Sequence, residues 1–300
     1  MSLRSAILFS LLCVLPCAAR AQQVLLGVLE QIPPETTSGR VTPYVRVLFE
    51  KTDAGWKAFP SECPDQACLK SITAKFPAET KWTVAFDGKS LGEITAHTPK
   101  DFAFYSHVGL QEIVSKTIPS VGKPTAEFGA SPDRLLLRPL AAVSPANFKD
   151  PVGWKRVPLS ADQLAFLRKR FQEQFPKLCR ISPEDETKIE PRPYTDADIQ
   201  LLKAYGSNSH WTIARLHVDN AIVCGDPNAG YQMPDPWFAV SPEHSASYLA
   251  SGLYLIDAGD YDNSGHSQLL FSFIAGDNRA GYILYFDNFS HSVTFSYSFH

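Results

Sequence analysis

The residues best suited to chemistry lie near the C-terminal end, in the stretch Gly252 to Phe273, GLYLIDAGDYDNSGHSQLLFSF. Counting from Asp260, oxygen-bearing side chains fall at positions one, three, five and nine, namely Asp260, Asp262, Ser264 and Gln268, with Gly265 at position six. Short polar side chains alternating around a sharp turn aim several oxygens at one point, and calcium takes six to eight oxygen ligands. Asp257, three residues upstream, offers a third carboxylate. A helix-loop-helix calcium hand needs a bidentate glutamate at position twelve. Here that position is Phe271, inside a run that alternates like a strand, so the stretch reads as two strands joined by a polar loop.

The spacing from Asp260 to Gln268 resembles the D-x-D-x-D-G-x-x-D/E loop of integrin-alpha-type FG-GAP repeats, in which the loop joins two strands and binds calcium. The resemblance covers about a dozen residues and implies that Asp260, Asp262, Ser264 and Gln268 ligate a structural Ca2+. The family usually carries carboxylates where this chain has Ser264 and Gln268, which implies weaker binding. Without an ion, the same residues make a polar hairpin turn. Gly225 to Tyr231 and Gly276 to Tyr282 share a loose G-D…A/S-G-Y/H shape with Gly259 to His266 but lack its alternating acids. They read as ordinary turns, and a complete propeller of repeated blades is not expected.

Other candidate groups are scattered. His210, His217 and Asp219 lie in HWTIARLHVDN, and His244, His266 and His291 follow, without H-E-x-x-H or another metal-ligand spacing. Glu112, Glu127, Asp133 and Asp235 are the acids from which a glycosidase-type carboxylate pair would be drawn. The chain has no G-x-S-x-G elbow, no phosphate-cradling glycine loop and no dinucleotide fingerprint.

The elements that must position these groups are mostly strands. From Gln22 to about His97, VLLGVLEQI, YVRVLFEK, WTVAFDG and LGEITAH are short runs of aliphatic, β-branched and aromatic residues between Pro, Gly and Asp turns. Trp56 and Trp82 read as core fillers of this sheet or barrel. Ser160 is an N-cap for an amphipathic helix placing Leu164, Leu167 and Phe171 on one face, ended by Pro176. Residues 181 to 194, with three prolines, form an exposed loop, and Thr195 then caps a short helix over TDADIQLLKAYG. Alternating runs close the chain, with Phe295, Tyr297 and Phe299 on one face of the last strand.

Residues 1–21 form a secretory signal peptide, with Arg4, an apolar core from Ala6 to Val14 and Ala19-Arg20-Ala21 as the cleavage site. Its removal leaves 26 basic and 31 acidic residues, a net charge of −5, without a basic stripe, so nucleic acid is not an expected partner. No later apolar run approaches a membrane span. Cys63, Cys68, Cys179 and Cys224 remain, an even number suited to an oxidising compartment. Of the three pairings available, the sequence-local one joins Cys63 to Cys68 and Cys179 to Cys224; a four-cysteine zinc site is the alternative.

The expectation is therefore a mainly β chain with a helical middle segment, an α+β arrangement of antiparallel sheets in two β units. Residues 22–145 form an N-terminal β domain and connection, and residues 146–300 a helix-containing C-terminal β domain with the metal-type hairpin loop. The expected function is an exported, disulfide-stabilised, calcium-loop-containing binding or structural module, periplasmic or extracellular, that meets a ligand or cell-envelope component. The alternative is a hydrolase of cell-wall or polysaccharide material, in which two carboxylates face one pocket.

Overall fold

The computed structural model describes residues 23–32, 42–100, 105–121, 138–145, 148–149, 153–185, 187–225, 235–275 and 278–299. The signal segment, Glu127, Asp133, all but Gly225 of the first loop-like copy and Gly276 and Asp277 of the second lie outside them, while Arg279 to Tyr282 of the second copy open a strand.

Strands β1 (Leu25–Ile32), β2 (Thr42–Thr52), β3 (Gly55–Ala58), β4 (Glu79–Phe86), β5 (Lys89–His97), β6 (Leu110–Ile113) and β7 (Leu140–Val143) form one antiparallel sheet in the order β1-β7-β4-β5-β6-β2-β3. Strand β1 also pairs with β2 along its full length, Leu25 opposite Glu50 through Ile32 opposite Thr42, so the sheet closes into a small barrel with β3 as a flap on β2. Closure removes the open edges that an isolated sheet would expose. Alternate side chains fill the interior, among them Val28, Val45, Val47, Val84 and Trp82. Trp82 is buried with its indole N–H donated to Gln111 Oε1 at 2.9 Å, and Trp56 is buried too, as expected for core fillers. A short helix α1 (Gln66–Thr73), capped by Asp65 accepting from the Cys68 N–H at 2.8 Å, packs Leu69 and Ile72 on this core.

Beyond residue 153 come β8 (Lys155–Arg156), α2 (Ala161–Gln174), β9 (Leu178–Ile181), β10 (Ile189–Arg192), β11 (Gln200–Gly206), β12 (Thr212–His217), β13 (Ile222–Val223), β14 (Trp237–Val240), β15 (Ala246–Ala250), β16 (Leu253–Gly259), β17 (Gln268–Ala275), β18 (Arg279–Phe286) and β19 (His291–Ser298). They make a four-stranded meander β16-β17-β18-β19, a five-stranded sheet β15-β14-β12-β11-β8 and a small sheet β10-β9-β13, all antiparallel. The molecule is mainly β, with two α-helices among the described residues.

The period-two alternation of strands sets the layering. On the meander, Ile256, Leu270, Tyr282, Leu284 and Phe295 join the barrel core, while Leu269, Phe271 and Tyr285 face Ile213 and Trp237 of the five-stranded sheet. The far face of that sheet, with Ala204, Ala214, Leu216 and Phe238, packs on Leu167 and Phe171 of α2. The layers thus run barrel, meander, five-stranded sheet, helix, and residues on both sides of position 146 share one core. Helix α2 begins as its sequence indicates. Ser160 Oγ accepts from the Gln163 N–H at 3.2 Å, and Gln163 Oε1 accepts from the Ser160 N–H at 2.9 Å.

One expectation fails locally. The stretch after Thr195 is not a helix: Asp196–Asp198 make a single 3-10 turn, and Gln200–Gly206 continue as β11. The cap is real, since Asp198 accepts from the Thr195 N–H at 2.8 Å. However, pairing with β12 along the whole of β11 outweighs the modest helix propensity of the segment.

Both cysteine pairs are disulfide-bonded, Cys63 to Cys68 and Cys179 to Cys224. The second ties β9 to the residue following β13 and, on loop entropy, is worth about 4 kcal/mol. Two disulfides fit a protein outside the cytoplasm. No helix among the described residues is long and apolar enough to cross a membrane.

Candidate functional site

The loop from Asp260 to Ser267 joins β16 to β17, and its oxygens are already engaged. Asp260, buried at the strand end, accepts from the N–H groups of Ser264 at 2.8 Å and Gly265 at 2.7 Å, one with each carboxylate oxygen. Gly265 sits at φ +84°, a left-handed conformation that suits glycine. Gln268 Oε1 accepts from the Tyr261 N–H at 2.8 Å, and its amide donates to His266 O at 2.7 Å and Asp262 Oδ1 at 3.1 Å. The other Asp262 oxygen lies 2.7 Å from the Lys51 ammonium, which arrives from β2 of the barrel. Asp257 does not join this set: it accepts from the Asp87 N–H of the β4–β5 turn at 3.0 Å and from the Tyr261 hydroxyl at 3.4 Å.

As arranged, these residues are engaged with one another and with Lys51. Their oxygens face N–H donors, and a lysine ammonium stands beside Asp262 where an ion would supply charge. Among the described residues no group of three or more His, Cys, Asp or Glu side chains is placed to hold a metal. The electrostatics follow from the hydrogen bonds. Burial pushes the Asp260 carboxyl above its ordinary range, against the two N–H groups that pull it down and with neighbouring Asp262 adding to the rise. Burial also pushes Asp262 upward, but Lys51 and the Ser264 hydroxyl hold it below that range.

A second polar cluster gathers residues scattered in the sequence. His217 Nδ1 lies 2.5 Å from Asp235 and Nε2 2.9 Å from Asp219, while Arg215 donates to the other Asp235 oxygen at 2.5 Å. Gln200 donates to Asp219 at 2.6 Å, so both carboxylates are shared among three donors. Glu112 pairs with His97 at 3.6 Å, and His291 with Asp287 at 3.6 Å.

A cavity of about 610 Å³ lies elsewhere, at the end of the five-stranded sheet beside the start of α2. Its floor is Val157, Leu159, Phe166, Leu167, Trp211 and Val240, and its rim carries Asp162, Gln163, Ser207, His210, Ser241 and His244. A volume of this size and an apolar floor under a few polar groups are usual for ligand sites.

Two hairpin turns of the same construction build that rim. In Ser207-Asn208-Ser209-His210-Trp211, the Ser207 N–H donates to Trp211 O at 2.9 Å, the His210 N–H to Ser207 O at 3.0 Å, and the Trp211 N–H to Ser207 Oγ at 3.0 Å. In Ser241-Pro242-Glu243-His244-Ser245 the equivalent three distances are 2.8, 3.0 and 3.3 Å. Thr212 lies opposite Val240 in the β12–β14 ladder, which sets the turns side by side. Each turn puts its histidine in the left-handed region, at φ +64° for His210 and +60° for His244. Neither imidazole has a hydrogen-bond or ion-pair partner among the described residues, unlike those of His97, His217 and His291. Trp211 is fixed edge-on against Phe289, with ring centroids 5.1 Å apart.

The sequence shows His210 and His244 only as separate histidines. The signal that joins them is the repeated S-x-x-H, each copy followed by an alternating strand. Comparison with family models, with curated proteins and with solved structures finds no match to this chain.

Proposed function

We propose that the chain is an exported, disulfide-braced binding module whose ligand seat is the groove between the twin hairpin turns and α2. The observation that carries this is the groove itself, an open cavity of about 610 Å³ with aromatic and aliphatic lining and the exposed polar groups of Asp162, His210 and His244 at its rim. The rest of the molecule supports it as a scaffold of four packed layers. In this reading the Asp260 to Gln268 loop is a strut between barrel and meander, and Lys51 supplies the positive charge that a calcium ion would bring. A hydrolase of cell-wall or polysaccharide material would need two carboxylates facing one pocket, and the groove presents one, Asp162.

Tryptophan accessibility tests the seat. Trp56, Trp82, Trp154 and Trp237 are all buried, whereas Trp211 is half-buried and lines the groove. Acrylamide should therefore quench mainly Trp211, and a Trp211→Phe variant should lose the quenchable signal. Soluble muropeptides, oligosaccharides, amphipathic peptides and fatty acids are then added in turn. Any of them that shields Trp211 supports the groove as the seat; a panel that leaves quenching unchanged refutes it.

A further inference from the structure

We propose that the groove takes a neutral, polyhydroxylated ligand, a short carbohydrate chain, gripped at the rim by His210, His244 and Asp162 over the Trp211 and Phe166 rings. This rests on the groove being the ligand seat and specifies what it holds.

The donor and acceptor inventory points to hydroxyl groups. A hydroxyl both donates and accepts, so a site made for several of them mixes acceptor-only and donor groups. Asp162 supplies an acceptor-only carboxylate, and each imidazole can present a donor and an acceptor. Gln163 spends its oxygen on the helix cap, which leaves its amide N–H groups for the rim. The apolar floor matches the other half of a sugar, whose ring faces are made of C–H groups that lie against aromatic rings. Since the groove is open on one side, a chain of rings can continue out of it.

Other ligand classes fit less well. No lysine or arginine lines the cavity, and an anion would meet the Asp162 carboxylate. A transition metal would need a convergent cluster, and the described residues hold none.

The backbone gives the test its leverage. A left-handed conformation is strained for a non-glycine residue, and glycine adopts it freely. If the histidines served only the turns, glycine would serve them at least as well. His210→Gly and His244→Gly therefore separate fold from binding.

The experiment titrates the signal-free chain with maltotriose, cellotriose and chitotriose, with trigalacturonate as the anionic counterpart and laurate as the apolar one, following Trp211 quenching and amide chemical shifts. The expected result is saturable protection of Trp211 by at least one neutral trisaccharide, weakened tenfold or more in each glycine variant and in Asp162→Asn, with thermal midpoints kept or raised in the glycine variants. Protection by trigalacturonate or laurate alone overturns the carbohydrate assignment and leaves the groove as the seat. Protection by none of the five overturns the carbohydrate assignment, and the groove as the seat falls with it when muropeptides and amphipathic peptides leave quenching unchanged too. Neutral binding that survives both glycine substitutions overturns the role given to the histidines.

Discussion

The seam between barrel and meander and the groove beside α2 are both polar places in a β-rich molecule, and they are built in opposite ways. In the seam, buried charges are paired with one another. The Arg46 guanidinium, fully buried, pairs with Glu30, donates to Val108 O at 2.6 Å and stacks 3.7 Å from the centre of the Tyr297 ring. Tyr282 donates to the second Glu30 oxygen at 3.1 Å. A few residues along β2, Lys51 answers Asp262. Burial pushes the Tyr297 phenol up to about 12 and Tyr282 well above its ordinary value, so both stay neutral. In the groove, the exposed imidazoles of His210 and His244 and the Asp162 carboxylate have no hydrogen-bond or ion-pair partner among the described residues. Polar groups that satisfy one another hold a structure together; polar groups left open over a cavity are available to something else.

The largest effect should come from breaking the seam. Burial alone would lower the Arg46 pKa, and Glu30 raises it overall, which marks a pair that depends on both members. Arg46→Leu strands the Glu30 carboxylate in a largely buried site and should remove about 3–5 kcal/mol of stability in urea unfolding. Adding Glu30→Gln should return part of it, because the uncompensated charge is gone. A single variant within 1 kcal/mol of the parent (roughly a fivefold change in the folding constant) would mean the seam is not held by this pair.

A smaller loss is expected from Lys51→Met, about 2 kcal/mol, since Lys51 is partly solvated although Asp262 is largely buried. Its pH dependence has a definite sign. The Asp262 carboxyl is depressed in the folded state, so the ion pair stabilises fully above the unfolded carboxylate pKa and the stabilisation is lost as pH falls through the lower, folded value. The gap between parent and variant should be widest near neutral pH and close on acidification. Calcium sharpens the comparison. With the ammonium gone, Asp260 and Asp262 lack a nearby cation, and millimolar calcium should raise the thermal midpoint of Lys51→Met while leaving the parent unmoved. A calcium-dependent rise in the parent that disappears in Asp260→Ala would show instead that the loop holds the ion itself.

What could be read from the sequence was whatever is local. The Ser160 cap and the Leu164, Leu167, Phe171 spacing mark α2, and the alternating runs mark most strands. The glycine at position six marks the turn of the Asp260 loop, but its chemistry depends on Lys51, more than 200 residues away, and no spacing within the loop reports it. Barrel closure was hidden for the same reason, because it rests on β1 finding both β2 and β7. The helix expected after Thr195 shows the converse: its cap is local and correct, whereas its continuation is decided by a ladder with β12. The groove is the furthest from the sequence, assembled from one helix start and two turns that become neighbours only through the Thr212–Val240 register.

The smallest effect expected in stability is the most telling about the groove. Glycine at 210 or 244 relieves the left-handed backbone and removes no hydrogen bond or ion pair of either imidazole among the described residues, while adding entropy to the unfolded chain. Those terms oppose each other, so each substitution should change stability by no more than about 1 kcal/mol, with a gain the expected sign. Because the two turns touch through one strand pair and share no hydrogen bond, the double variant should be near the sum of the singles. A loss of 2 kcal/mol or more from either would mean the imidazole braces its turn, and the contrast between a closed seam and an open groove would fail at that residue. Stability held or raised leaves the two histidines with strained backbones and no structural task, which is what a binding rim requires.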